Sequence, residues 1–271
     1  VLFTRRTYMI KLIASDLDGT LLREGTQELN PDIYDIIRQL KKEGVHFVAA
    51  SGRQYYNLRN LFAPVRDDIS YIAENGSLCI CDGKVISKGL IERELGLRIF
   101  QAVREFGSCH CLLSCESACY IEAKSDVFIN HIQNVLCYDT RIVDDLSDVQ
   151  EPFLKIAVCD FGGTRDIQTY FREMFSGEIK VVTSGNIWID FIAPNANKGS
   201  ALAELARHFD VMPEECMTFG DQYNDAEMLQ FAGTSYAMNT GAPGIADFAT
   251  NTTDSVEQVL KEFVKSIHTN H

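Results

Sequence analysis

The first eighty residues alternate short apolar runs with amphipathic stretches. Lys11–Ser15 is a run of buried-strand type that ends in Asp16. After it, Ile33, Ile36, Ile37 and Leu40 recur at helical spacing behind Asn30-Pro31, and Gly44 follows. A capping side chain, a proline in the first turn and a closing glycine predict a helix between those points. Val45–Ala50 and Ile69–Ala73 are continuous apolar runs, stopped by Ser51-Gly52 and Glu74-Asn75-Gly76. The same style returns in the last third. It predicts a helix over Gly199–Phe209, a strand over Cys216–Phe219 stopped at Gly220-Asp221, and a helix from about Asn224. A strand near Ser235–Met238 and a terminal helix carrying Val256, Val259, Leu260, Phe263, Val264 and Ile267 complete it. Strands alternating with helices predict an α/β fold on a doubly wound parallel sheet.

Between roughly Gly83 and Ile192 the pattern changes. Strands are expected at Cys111–Ser114, Cys119–Ala123, Leu154–Cys159, Ile179–Thr183 and Ile187–Ile192. Short turns around Glu116 and Ser184-Gly185-Asn186 predict antiparallel pairs there, and helices near 91–106, 125–135 and 165–176 are expected to cover one face. The organisation expected is therefore one domain of residues 9–82 and 193–271, interrupted by an α+β domain of residues 83–192 whose junctions act as a hinge. Met9 reads as an initiator immediately before a strand, so residues 1–8 are treated as an upstream extension.

The formal charge of −13 and pI near 4.9 disfavour nucleic acid and anionic lipid as partners. They also oppose a phosphorylated ligand unless a metal ion or a placed lysine reverses the sign locally. Nine cysteines are present, and the group Cys109, Cys111, Cys115 and Cys119 has no paired zinc-knuckle spacing. Buried, reduced thiols of a cytoplasmic protein are expected instead. No apolar stretch is long enough to span a bilayer, and no signal peptide is apparent.

Four constellations follow predicted strands of the first domain, where ligands of open parallel sheets bind. Asp16-Leu17-Asp18-Gly19-Thr20 places two carboxylates on one side of an extended backbone, with a glycine that permits close approach to a phosphate, although Asp-Gly is also a common turn pair. Ser51-Gly52-Arg53 offers a hydroxyl and a free N–H at a strand-to-helix junction, or a helix cap. Asn197-Lys198-Gly199 brings a lysine to the start of a helix. Gly220-Asp221-Gln222-Tyr223-Asn224-Asp225 supplies oxygen donors suited to a hard divalent ion, or a solvated loop.

In this order, the four closely resemble the motifs of the haloacid dehalogenase superfamily of phosphohydrolases, within it the Cof-type group with a large inserted cap. The resemblance runs from Met9 to the terminal helix. It implies that Asp16 is the nucleophile, that Asp18 is the general acid/base and gives its backbone carbonyl to the metal, and that Lys198 stabilises charge. It also implies phosphate or substrate contacts from Thr20, Ser51, Gly52, Arg53, Asn75 and Asn224. Magnesium is implied as cofactor, with Asp16, Asp18, Asp221 and Asp225 around it. Glu74-Asn75-Gly76 resembles the start of the cap, and Asp190-Phe191-Ile192 before Pro194 its end. One departure is Asn195-Ala196-Asn197, where members often carry Gly-Val before the lysine.

The expected function is hydrolysis of small phosphomonoesters, sugar phosphates or phosphorylated cofactors, by a monomer or small homo-oligomer. A phosphomutase, or a low-turnover protein phosphorylated on aspartate, are the alternatives. Arg93, Arg98, Lys124 and Arg141 are cap cations that could meet a substrate or lie in solvated surface.

Overall fold

A computed structural model describes residues 9–22, 26, 28–122, 124–136, 138–183 and 186–269. The proposed extension, residues 1–8, lies outside them, as do Ser184 and Gly185 of the second expected turn. From the N-terminus the chain forms β1 (Leu12–Ser15), α1 (Asp32–Lys42), β2 (His46–Ala50), α2 (Tyr55–Leu61), β3 (Ser70–Ala73), β4 (Leu78–Cys81) and β5 (Lys84–Lys88). It continues with α3 (Arg93–Phe106), β6 (His110–Ser114), β7 (Cys119–Glu122), α4 (Asp126–Asn130), β8 (Thr140–Val143), β9 (Lys155–Cys159), α5 (Thr164–Met174), β10 (Lys180–Thr183) and β11 (Trp188–Ile192). It closes with α6 (Lys198–His208), β12 (Cys216–Gly220), α7 (Ala226–Phe231), β13 (Thr234–Met238), β14 (Asn251–Thr253) and α8 (Val256–Thr269).

Two sheets result. The larger has the order β14-β13-β12-β1-β2-β3-β4-β5, parallel from β14 to β3, with β4 and β5 added as an antiparallel edge. Its inner strands are apolar on both faces because helices cover both. Ile33, Ile36, Ile37 and Leu40 of α1, together with Leu260 and Val264 of α8, bury one side. Leu202 and Leu205 of α6 and Met228 of α7 bury the other. The α1 helix starts as the sequence predicts: the Asn30 Oδ1 accepts from the Asp32 N–H at 3.1 Å.

The smaller sheet has the order β10-β11-β9-β6-β7-β8 and is antiparallel apart from the β7–β8 pair. Two differences from the sequence reading have physical causes. The large sheet runs on to Lys88, so β5 belongs to it rather than to the insert; its residues are mostly exposed and carry no burial signal. The segment 126–135 does not join α3 and α5 on one face. Phe128 and Ile132 pack on the opposite face against Leu112, Cys119, Ile121 and Ala157, whereas α3 and α5 cover Leu113, Tyr120, Ile156 and Val158. Both alternating sets are apolar, so period two alone does not say which face a helix takes. Among the described residues no helix is long and apolar enough to cross a membrane. Among the described residues eight cysteines are free, with burial pushing thiols such as Cys79 and Cys115 up to about 12.

Candidate active site

Three of the four constellations lie at the carboxyl ends of β1, β2 and β12, and the fourth, Asn197-Lys198-Gly199, opens α6 and brings Lys198 to them. Asp16 leaves β1 with its N–H bonded to the Phe219 carbonyl of β12 at 3.0 Å, which fixes it in register beside Asp221. Lys198 opens α6, whose start is capped by Asn197: the Asn197 Oδ1 accepts from the Ser200 N–H at 2.7 Å. The residues that replace the family's Gly-Val thus still deliver a well-formed helix start. Gly199 lets α6 press onto α7, since a Cβ there would stand 2.6 Å from the Glu227 backbone. That approach brings Lys198 to the acidic turn.

Lys198 is fully buried, and its Nζ lies 2.5 Å from Asp16 Oδ1 and 2.5 Å from Asp225 Oδ1. The other Asp225 oxygen, Oδ2, accepts the Asp221 and Gln222 N–H groups at 3.0 and 3.1 Å. Asp16, Asp221 and Asp225 bring one oxygen each within 4.8 Å of one another, an all-oxygen group that suits magnesium. The Thr20 hydroxyl donates to Asp221 Oδ1 at 3.1 Å, and Gly19, at φ +88°, leaves the space Asp221 occupies; a Cβ would fall 2.3 Å from its Oδ2. Three carboxylates against one lysine leave the pocket two negative charges in excess. Burial, and then repulsion from Asp225, push the Asp16 carboxyl well above its ordinary value despite Lys198, and the same two causes raise Asp221. Burial opposes the charge on Lys198, but Asp16 and Asp225 outweigh it and raise its pKa.

The second carboxylate of the opening motif sits apart. Asp18 is held by Arg53, through Nε at 2.8 Å and Nη2 at 2.5 Å, and does not join the Asp16 group. Arg53, expected to bind phosphate, thus spends its fork on Asp18. Ser51 is buried at the end of β2, with its Oγ accepting from the Arg53 N–H at 3.1 Å. Gly52 packs against Asn75, where a Cβ would meet Oδ1 at 3.0 Å. Asn75 donates to Asp190 Oδ2 at 3.1 Å and accepts from Asn224 Nδ2 at 3.0 Å, joining three of the motifs. Glu74 and Asn75 both have positive φ, 52° and 56°.

One residue of this network was not singled out from sequence. Lys155, at the start of β9, is buried and reaches across from the smaller sheet. Its Nζ lies 2.6 Å from Glu74 Oε2, 3.7 Å from Asp190 Oδ2 and 2.7 Å from the Gly52 carbonyl. A lysine opening an apolar strand gives no sign of such partners, which lie 35 to 103 positions away. The four cap cations considered earlier do not line the cleft. Arg93 bonds Val149 and Ser147 carbonyls, Arg98 pairs with Glu178, Lys124 with Glu122, and Arg141 with Tyr120.

Between the two sheets lies a cleft of about 1130 Å³, with Asp16, Asp18, Ser51, Arg53 and Asn75 on the core side. The family model described as haloacid dehalogenase-like hydrolase matches residues 13–262. The chain belongs to this family. It is 28% identical over 239 residues to the 5-amino-6-(5-phospho-D-ribitylamino)uracil phosphatase of Escherichia coli, covering 88% of each chain. It is 24% identical to an HMP-PP phosphatase of Yersinia pseudotuberculosis, covering 87% of this chain and 86% of that one. A crystal structure from Eubacterium rectale superposes with a TM-score of 0.85 at 30% identity, over 94% of this chain and 99% of the other.

Proposed function

We propose that the chain is a magnesium-dependent phosphatase of small phosphomonoesters that works through a phospho-aspartyl intermediate at Asp16. The observation that carries this is the buried group of Asp16, Asp221, Asp225 and Lys198, whose Asp16 lines the inter-sheet cleft. Asp16 and Asp221 would hold magnesium, with the Asp18 carbonyl alongside and Asp225 fixing Lys198. The bound ion supplies charge neutralisation to the phosphoryl oxygens.

In this reading an Asp16 oxygen attacks phosphorus in line, and the bond to the leaving oxygen breaks. Lys198 neutralises charge on the nucleophile and on the transferring group. Asp18 gives a proton to the leaving oxygen and then takes one from the water that cleaves the aspartyl phosphate. Arg53 holds Asp18 away from Asp16, so a substrate phosphate that competes for the guanidinium frees the acid when it is needed. The smaller sheet acts as the cap that roofs the reaction, and the −13 charge disfavours extended polyanions.

The test is phosphate release from a panel of metabolite phosphates, a phosphopeptide and a 5′-phosphorylated oligonucleotide. Small esters are expected to give the highest kcat/KM. Excess chelator should suppress turnover by at least about a hundredfold, and added magnesium should restore it. Preference for either macromolecule, or full activity in chelator, would contradict the reading. Asp18→Asn should slow alkyl phosphates by about 10²-fold or more and a nitrophenyl ester much less in the first step, because nitrophenolate needs little protonation. Equal single-turnover losses for the two leaving groups would remove the acid role.

A further inference from the structure

We propose that Lys155 is a positioning residue for phosphoryl transfer: from the smaller sheet, its ammonium sets the Gly52–Arg53 peptide beside the nucleophile. The inference rests on the phosphatase reading and adds a part to its machinery. Ser51, Gly52 and Arg53 line the cleft together with Asp16 and Asp18. Each of their three carbonyls has a donor. The Ser51 carbonyl accepts from the Asn75 N–H at 3.1 Å, and the Arg53 carbonyl from the Glu74 N–H at 3.0 Å. Glu74 and Asn75 reach back to the loop in successive left-handed conformations, a backbone that persists where its surroundings enforce it. The middle carbonyl, that of Gly52, accepts instead from the Lys155 Nζ at 2.7 Å. The smaller sheet thus supplies one donor to a loop that the larger sheet otherwise holds.

That bond has a directional consequence. A trans peptide sends its C=O and N–H to opposite sides, so a cation on the Gly52 carbonyl turns the Arg53 N–H away from Lys155. The Arg53 N–H donates to Ser51 Oγ at 3.1 Å. With that oxygen already accepting, the Ser51 hydroxyl has its own proton to donate to a phosphoryl oxygen, which can only accept. Rotation of the same peptide would withdraw the N–H and put a carbonyl in its place, an acceptor facing an anion. It would also displace Arg53, whose fork holds Asp18. Lys155 opposes that rotation, because a buried ammonium that loses the carbonyl has no water to replace it. Joining the two sheets needs only its ion pairs with Glu74 and Asp190. The bond to Gly52 is the contact that bears on the chemistry.

Stability and positioning come apart in three variants. Each is assayed below its melting temperature with 4-nitrophenyl phosphate as substrate and inorganic phosphate as competitive inhibitor. Partial unfolding lowers kcat but leaves KM and the phosphate Ki unchanged, because neither depends on how much of the enzyme is active. Lys155→Met should raise both constants about tenfold or more and lower kcat/KM about 10²-fold. Lys155→Met/Glu74→Gln regains folded protein by neutralising the acid left without its cation, yet it should keep the raised KM and Ki. Glu74→Gln alone retains the Lys155 bond to Gly52 and should hold both constants within about twofold of the unaltered protein. Unaltered KM and Ki in the double variant, or an equal rise in Glu74→Gln alone, would reduce Lys155 to a tie between the sheets and leave the phosphatase reading standing. No phosphate release by the unaltered protein, with magnesium present, overturns that reading and the positioning role with it.

Discussion

Asp16→Asn is expected to lower kcat by at least about 10³-fold while raising the melting temperature measured in chelator. The two effects have one source. Asp16 is buried beside Asp225 and Asp221, and its carboxyl is pushed well above the ordinary range, so its ionised form is disfavoured in the fold. A raised carboxyl favours the folded state at low pH, and that advantage is lost as pH rises from the unfolded value through the folded one. At neutral pH the charge is therefore a cost that the asparagine lacks, while its Oδ1 still accepts from Lys198. Loss of activity together with a gain in metal-free stability marks a residue kept for chemistry. Substantial turnover by folded, magnesium-replete Asp16→Asn protein would refute the assignment, and a lowered melting temperature would refute the electrostatic account.

Lys155→Met is expected to cost about 3–5 kcal/mol, roughly 10 °C in melting temperature. The methionine fills similar space but leaves Glu74 and Asp190 buried without their cation. Burial opposes the Lys155 charge, yet Asp190 and Glu74 outweigh it and raise its pKa. Its contribution is therefore full below the ordinary lysine range and is lost only at pH above it. Adding Glu74→Gln should recover part of the loss, and the double-mutant cycle measures the coupling. A loss below about 1 kcal/mol for Lys155→Met would show that the two sheets are joined by other contacts.

The parts of the fold legible in sequence are those with a burial signature. β1, β2, β3 and β12 are buried throughout or nearly so, and each ends in a motif. The edge strands β5, β8 and β14 were not legible, although the edge strand β10 was. β8 and β14 are partly or fully exposed along their length and hold their places by backbone pairing, which leaves no mark on side-chain pattern. At the site, residue types and order brought Asp16, Lys198, Asp221 and Asp225 together on paper as they are in space. The partners of individual side chains were not legible. Arg53 reads as a phosphate cation but takes Asp18, and Lys155 reads as an ordinary strand start. Each depends on a neighbour that only tertiary folding supplies.

The buried string from Asn224 through Asn75 and Asp190 to Lys155 and Glu74 has a consequence for recombination among relatives. An insert is often treated as a cassette, exchangeable at its two peptide junctions. Here the insert carries Lys155 and Asp190 of the string, and the host carries Glu74. A chimera that imports a foreign insert while keeping Glu74 inherits a buried acid, and unless the newcomer brings a cation at the position of Lys155 that acid has no counter-charge. Successful grafts must therefore move residues 74, 155 and 190 as a single inherited unit, although 116 positions of chain separate the first from the last.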